Sequence, residues 1–119
     1  MKSYLFIISR SPYGSSHALE QLEAAMVAAV FDARVAVLFR DEGVWSIQQH
    51  QAGAAIGQKT MTKVLAALPA YDVEKLYVCA DFLNTHQIQT EPSLSVMPIN
   101  LLEQQALISA SDVVITAQP

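Results

Sequence analysis

The feature that most constrains this chain is a set of short, largely apolar runs that do not alternate with polar residues, at residues 4–8, 35–39, 75–79, 94–97 and 113–116. A strand with one wet face alternates apolar and polar side chains, whereas one covered on both faces reads as a continuous run. Between the runs the period changes to three and four. Leu19, Leu22, Ala25, Met26, Ala29 and Val30 mark a first helix, with Ser15 or Ser16 as its cap and Glu20 and Glu23 near its positive end. Met61, Val64, Leu65 and Leu68 mark a second, closed by Pro69. A short helix is expected over 81–86, and Asn100 caps a last one through Leu101, Leu102, Ala106 and Leu107. Strands alternating with helices predict a three-layer α/β/α sandwich around a five-stranded, mainly parallel sheet, built as one domain over residues 1–119.

Two segments resist a regular reading. Pro98 should keep the fourth strand short. In 44–57, Val44, Trp45 and Ile47 are apolar but Gln48, Gln49, His50 and Gln51 are not, which predicts an irregular loop serving function or an interface. Trp45 there is either a lid over the core or an anchor in a subunit contact.

Seven basic residues against eleven acidic ones give a formal charge of −4, the wrong sign for a surface that tracks phosphates, so direct nucleic-acid binding is not expected. With 52% hydrophobic and only 15% charged residues, part of the outer surface is expected to be covered by other chains. A single cysteine cannot form an internal disulfide, and the opening apolar run turns polar at Ser9 and Arg10, which together predict a reduced, cytoplasmic setting. No run approaches the length of a membrane span.

In a parallel sheet the loops 9–16 and 40–43 and the turn at Cys79, Ala80 and Asp81 all leave the same edge. Cys79 is the intrinsic nucleophile among them, placed to accept or pass a sulfur atom; the competing reading is a small apolar side chain at a strand end. Asp81 sets a negative charge close to any thiolate and opposes it. The Ser11-Pro12-Tyr13-Gly14-Ser15-Ser16 loop lacks both the lysine of a phosphate loop and the glycines of a dinucleotide fingerprint, so a helix-capping turn is its better reading. His17, His50 and His86 share no ligand spacing. Neither a metal nor a cofactor is expected.

Taken in order, Ser11-Pro12-Tyr13-Gly14 with Glu20 beyond it, Phe39-Arg40-Asp41-Glu42-Gly43-Val44, Leu76-Tyr77-Val78-Cys79-Ala80 and Asp112-Val113-Val114-Ile115 resemble the DsrE/DsrF-type sulfur-relay family along essentially the whole chain, and most closely its TusC/DsrF subunit. The resemblance implies a small cytoplasmic subunit of a heterohexamer that passes persulfide sulfur, with DsrE/TusD-like and DsrH/TusB-like chains as partners. In one branch of the family the sulfur ends as 2-thiouridine at the wobble position of tRNA; in the other it feeds dissimilatory sulfur oxidation. By position, Cys79 matches the persulfide-bearing cysteine of the DsrE/TusD-type subunit. There the sequence departs from the catalytic pattern, because the active subunits follow their cysteine with small residues and a pair of arginines. Here Ala80-Asp81-Phe82-Leu83-Asn84-Thr85-His86 follows Cys79, adding a carboxylate and no cation. The resemblance thus implies a subunit that supports the relay. The alternative is a self-sufficient sulfurtransferase in which Cys79 carries the persulfide.

Overall fold

The computed structural model describes residues 2–12, 16–31, 33–49, 56–73 and 75–116, with the side chains of 56–60 and 62 left aside. Five strands, β1 (Ser3–Ile8), β2 (Arg34–Phe39), β3 (Lys75–Cys79), β4 (Val96–Ile99) and β5 (Val113–Thr116), form one sheet in the order β4-β3-β2-β1-β5. Every pairing is parallel. Among the described residues four α-helices connect them: α1 (His17–Val30), α2 (Ile56–Ala67), α3 (Ala80–Thr85) and α4 (Leu101–Ala110).

The topology follows from the handedness of strand–helix–strand connections. From β1 through β4 the chain steps one strand at a time in one direction, so right-handed crossovers place α1, α2 and α3 on one face; the return from β4 to β5 reverses direction and throws α4 onto the other. The packing agrees. Phe6, Ile8, Val37, Phe39 and Val78 bury against Ala18, Leu22 and Ala25 of α1 and Met61 and Leu65 of α2, with Phe82 and Leu83 of α3 alongside. The intervening residues Leu5, Ile7, Leu38 and Ile99 point the other way, toward Leu107 and Ile108 of α4. Side chains alternate across a strand, so unbroken apolar runs are what a sheet covered on both faces requires.

Several local expectations change. Residues 44–47 are not irregular: a 3₁₀ helix spans Asp41–Ile47, burying Val44 and Ile47 one 3₁₀ turn apart, and Gln48 then bridges Thr90. Helix α2 starts at Ile56, inside the segment expected to be a loop, while His50 and Gln51 lie outside the described residues. The fourth strand begins at Val96 and contains Pro98 instead of stopping before it. Strand β4 is an edge strand, where a missing N–H costs little because one row of donors has no strand partner.

The helices correct the expected faces as well. Val30 is 63% exposed, being roughly 110° round the helix from the stripe formed by Ala18, Leu22 and Ala25. Leu101 and Leu102 are exposed, and the residue α4 buries is Gln104, whose Nε2 donates to the Ile99 carbonyl at 3.3 Å. Ser16 precedes α1, but its hydroxyl donates to Glu20 Oε1 at 2.7 Å in place of capping a backbone amide; Ser15 lies outside the described residues. Asn100 does cap α4. Its Oδ1 accepts from the Glu103 amide at 2.8 Å while Glu103 accepts from the Asn100 amide at 3.0 Å, a reciprocal pair that satisfies two otherwise orphaned donors.

Candidate functional site

In an open parallel sheet, ligands and reactive groups gather where loops leaving the carboxyl ends of neighbouring strands diverge to opposite faces. Here that divergence falls between β3, whose chain continues into α3 on one face, and β4, whose chain continues into α4 on the other. Cys79 is the last residue of β3 and stands in register with Ile99, the last residue of β4. The single thiol therefore lies at the topological crevice itself. It is reduced and partly exposed, and by strand alternation it shares the α4 face with Tyr77.

The neighbouring rim is closed. The 3₁₀ helix after β2 sits over the carboxyl end of β1, with Gly43 packed against the Ile8 carbonyl and Val44 and Ile47 in the main core. The Arg40 amide donates to that same Ile8 carbonyl at 3.0 Å. Trp45 projects from the 3₁₀ helix to meet α3, edge-on to Phe82 with ring centroids 6.1 Å apart and 5.7 Å from the His86 ring, while Phe82 and His86 lie 4.1 Å apart at a tilt of 32°. These three rings tie the 3₁₀ helix to the helix that starts at Cys79. Trp45, expected to be a lid over the core or an anchor in a subunit contact, is within this chain a clasp on α3. Trp45 is too far in sequence from Phe82 and His86 for periodicity to link it to them.

The strands and helices beyond β3 bring only negative charge to the crevice. None of the chain's lysines or arginines lies beyond Lys75, so α3, β4 and α4 contribute only carboxylates, among them Asp81 in the first turn of α3 and Glu103 in the first turn of α4. Arg40, on the neighbouring loop, has its guanidinium 4.0 Å from Asp41. A persulfide is an anion once deprotonated and is held best beside cations. This crevice offers a thiol with carboxylates on α3 and α4 and one cation, Arg40, which follows the Phe39–Val78 pair and lies beside Asp41. Of the other sequence candidates, Ser9 to Pro12 leave the same edge from β1, while Tyr13, Gly14 and Ser15 lie outside the described residues. Among the described residues no cluster of three or more His, Cys, Asp or Glu could hold a metal, and no helix is long and apolar enough to cross a membrane.

Residues 2–117 match the model of the DsrE/DsrF-like family. The chain belongs to that family. It is 35% identical over 108 residues to a TusC homolog of Pseudomonas aeruginosa, covering 90% of this chain and 89% of that one. It is 30% identical over 96 residues to the intracellular sulfur oxidation protein DsrF of Allochromatium vinosum, covering 81% of this chain and 71% of that one. The crystal structure of the YchN protein from Escherichia coli superposes with a TM-score of 0.76 across 98% of this chain and all of that one; at 19% identity this likeness speaks for the fold. The expected family and α/β architecture are thus both found, with relatives bearing TusC as well as DsrF names.

Proposed function

We propose that this chain is the TusC/DsrF-like subunit of a cytoplasmic sulfur-relay complex, packing beside DsrE/TusD-like and DsrH/TusB-like chains and supporting a persulfide relay whose main carrier is a sister cysteine. The sulfur is destined for 2-thiolation of tRNA wobble uridine; the alternative destination is dissimilatory sulfur oxidation, the Allochromatium relative being named an intracellular sulfur oxidation protein. One observation carries the supporting role. Cys79 sits at the β3–β4 crevice, as a relay residue would, but the first turns of α3 and α4 bring Asp81 and Glu103, and the cation on the adjoining strand end, Arg40, is already 4.0 Å from Asp41.

The test is to incubate the assembled complex with a cysteine desulfurase, cysteine and radiolabelled sulfur, then separate the subunits under non-reducing conditions. Label on the DsrE-like subunit that persists when this chain carries Cys79→Ser supports the reading. Relay that stops in that variant would overturn it.

A second reading is favoured by the partial exposure of the thiol: Cys79 itself carries sulfur. Its thiolate would attack the terminal sulfur of a donor persulfide, the donor S–S bond would break, and the donor would leave as a thiolate, so no external oxidant enters the exchange. That version requires label on the isolated chain, removed by Cys79→Ser.

A further inference from the structure

The amino edge of the sheet, opposite the edge that carries Cys79, holds a cavity of about 400 Å³ between α4 and the starts of β2 and β3. That is the small end of the range for ligand sites, about 300–1,000 Å³. Among the described residues α4 alone covers this face, and Ala36 on the sheet and Ala110 on the helix are too small to close the gap; Leu107 forms an apolar wall beside them. Strand register sets two cations here. Ala36 is opposite Lys75, and Arg34, two residues before Ala36, points the same way, so the positive side chains are diagonal neighbours on adjacent strands. Both line the cavity. Like charges this close repel unless an anion joins them.

The chain supplies no such anion at contact distance. Among the described residues neither Arg34 nor Lys75 comes within 4.0 Å of a carboxylate. Asp112 attracts Arg34 from farther off, with its Oδ2 already accepting from Ser3, and Asp72 is the carboxylate that lines the cavity. Asp32 and Glu74 lie outside the described residues. The negative end of α4 is quieted by Ser111, whose hydroxyl donates to the Leu107 carbonyl at 2.8 Å and whose amide donates to that of Ile108 at 3.3 Å.

We propose that this cavity binds a small organic anion, a carboxylate or a phosphate ester on an apolar body, with its charge held by Arg34 and Lys75 and its body resting on Ala36 and Leu107. Two cations against the one carboxylate lining the cavity leave it positive in a chain whose formal charge is −4. A planar guanidinium beside a compact ammonium reaches an anionic head group with several charged donors at once. The site lies at the far end of β3 from Cys79, four residues or about 13 Å along the strand, and shares no residue with the crevice, so it stands or falls apart from the relay reading.

The test titrates the isotope-labelled full chain with benzoate and with phenyl phosphate and follows its amides by NMR. Benzyl alcohol and inorganic phosphate serve as controls, and circular dichroism confirms that each variant is folded. Saturable shifts are expected at Arg34, Ala36 and Lys75, and the tighter of the two anions identifies the head group. Arg34→Gln and Lys75→Gln are each expected to weaken binding about tenfold, the range for a charged hydrogen bond. Asp72→Asn should tighten it, because asparagine keeps the left-handed turn at φ 65° and removes the opposing charge. No saturation at about 10 mM of either anion, or saturation that survives substitution of both cations, would overturn the site. Benzyl alcohol or inorganic phosphate binding as tightly as the aromatic anions would contradict it too, the first by leaving the cations idle and the second by leaving the apolar wall idle. Shifts caused by a partner chain and by neither anion would replace the ligand with an acidic protein segment and so contradict the proposal.

Discussion

Gly43 lies so close to the carbonyl of Ile8 that any Cβ placed on it would enter the van der Waals shell of that oxygen. The obstacle is backbone belonging to a central strand, and it cannot swing aside as a flexible side chain would. Gly43→Ala is therefore expected to lift the 3₁₀ helix off the end of β1 and to destabilise the fold by about 1–3 kcal/mol, the range for forced overpacking. Urea denaturation followed by circular dichroism measures it. An unchanged midpoint would show that this helix does not seal the rim.

The reciprocal pair between Asn100 and Glu103 fixes where α4 begins, and hence the far side of the Cys79 crevice. Asn100→Ala removes one acceptor and is expected to cost about 1 kcal/mol, with Asn100→Asp close to wild type. Thermal unfolding of the three proteins distinguishes this from a generic surface effect, for which alanine and aspartate would behave alike.

Asp112 ties the start of β5 to the start of β1. The Ser3 amide donates to Asp112 Oδ2 at 2.8 Å and the Ser3 hydroxyl to the same oxygen at 3.2 Å. The Ser3 amide first, then its hydroxyl, hold the carboxyl below its ordinary value against a small cost of desolvation, with Arg34 and Lys2 adding attraction. Because the folded state favours the carboxylate, this contribution is present above the unfolded carboxylate range of about 4 and is lost as pH falls through the depressed folded value. The stability gap between wild type and Asp112→Asn should therefore narrow between about pH 5 and pH 2. A gap that stays constant across that range would contradict the assignment.

Trp45, Phe82 and His86 hold the helix that opens at Cys79. Trp45→Ala is expected to lower stability by about 2 kcal/mol through lost aromatic packing. It should also raise the rate at which iodoacetamide alkylates Cys79, because α3 has no buried residue of its own to hold it. Trp45→Phe should restore most of both. Alkylation at the wild-type rate in Trp45→Ala would show that the clasp does not govern the thiol.

The layered fold and the place of Cys79 were legible in the sequence because burial on both faces writes itself as unbroken apolar runs, and 4–8, 35–39 and 76–79 are such runs. The α4 cap was legible too, since Asn100 stands directly before a helical spacing. Hidden were features that depend on distant partners. Val44 and Ile47 follow a three-residue period too short to stand out among glutamines, and the Trp45 clasp joins residues some forty positions apart, from 45 to 82 and 86. The faces of α4 were misread for another reason. Composition-based periodicity assumes that leucine points inward, while Leu101 and Leu102 face out and Gln104 faces in.

The central claim is that this chain works inside an assembly of related chains. Co-expression with its DsrE/TusD-like and DsrH/TusB-like neighbours, followed by size-exclusion chromatography with light scattering, measures that directly. The account predicts one species containing all three chains, with a mass matching two copies of each. A profile in which this chain elutes at its own mass of 13.0 kDa, apart from both neighbours, would contradict it.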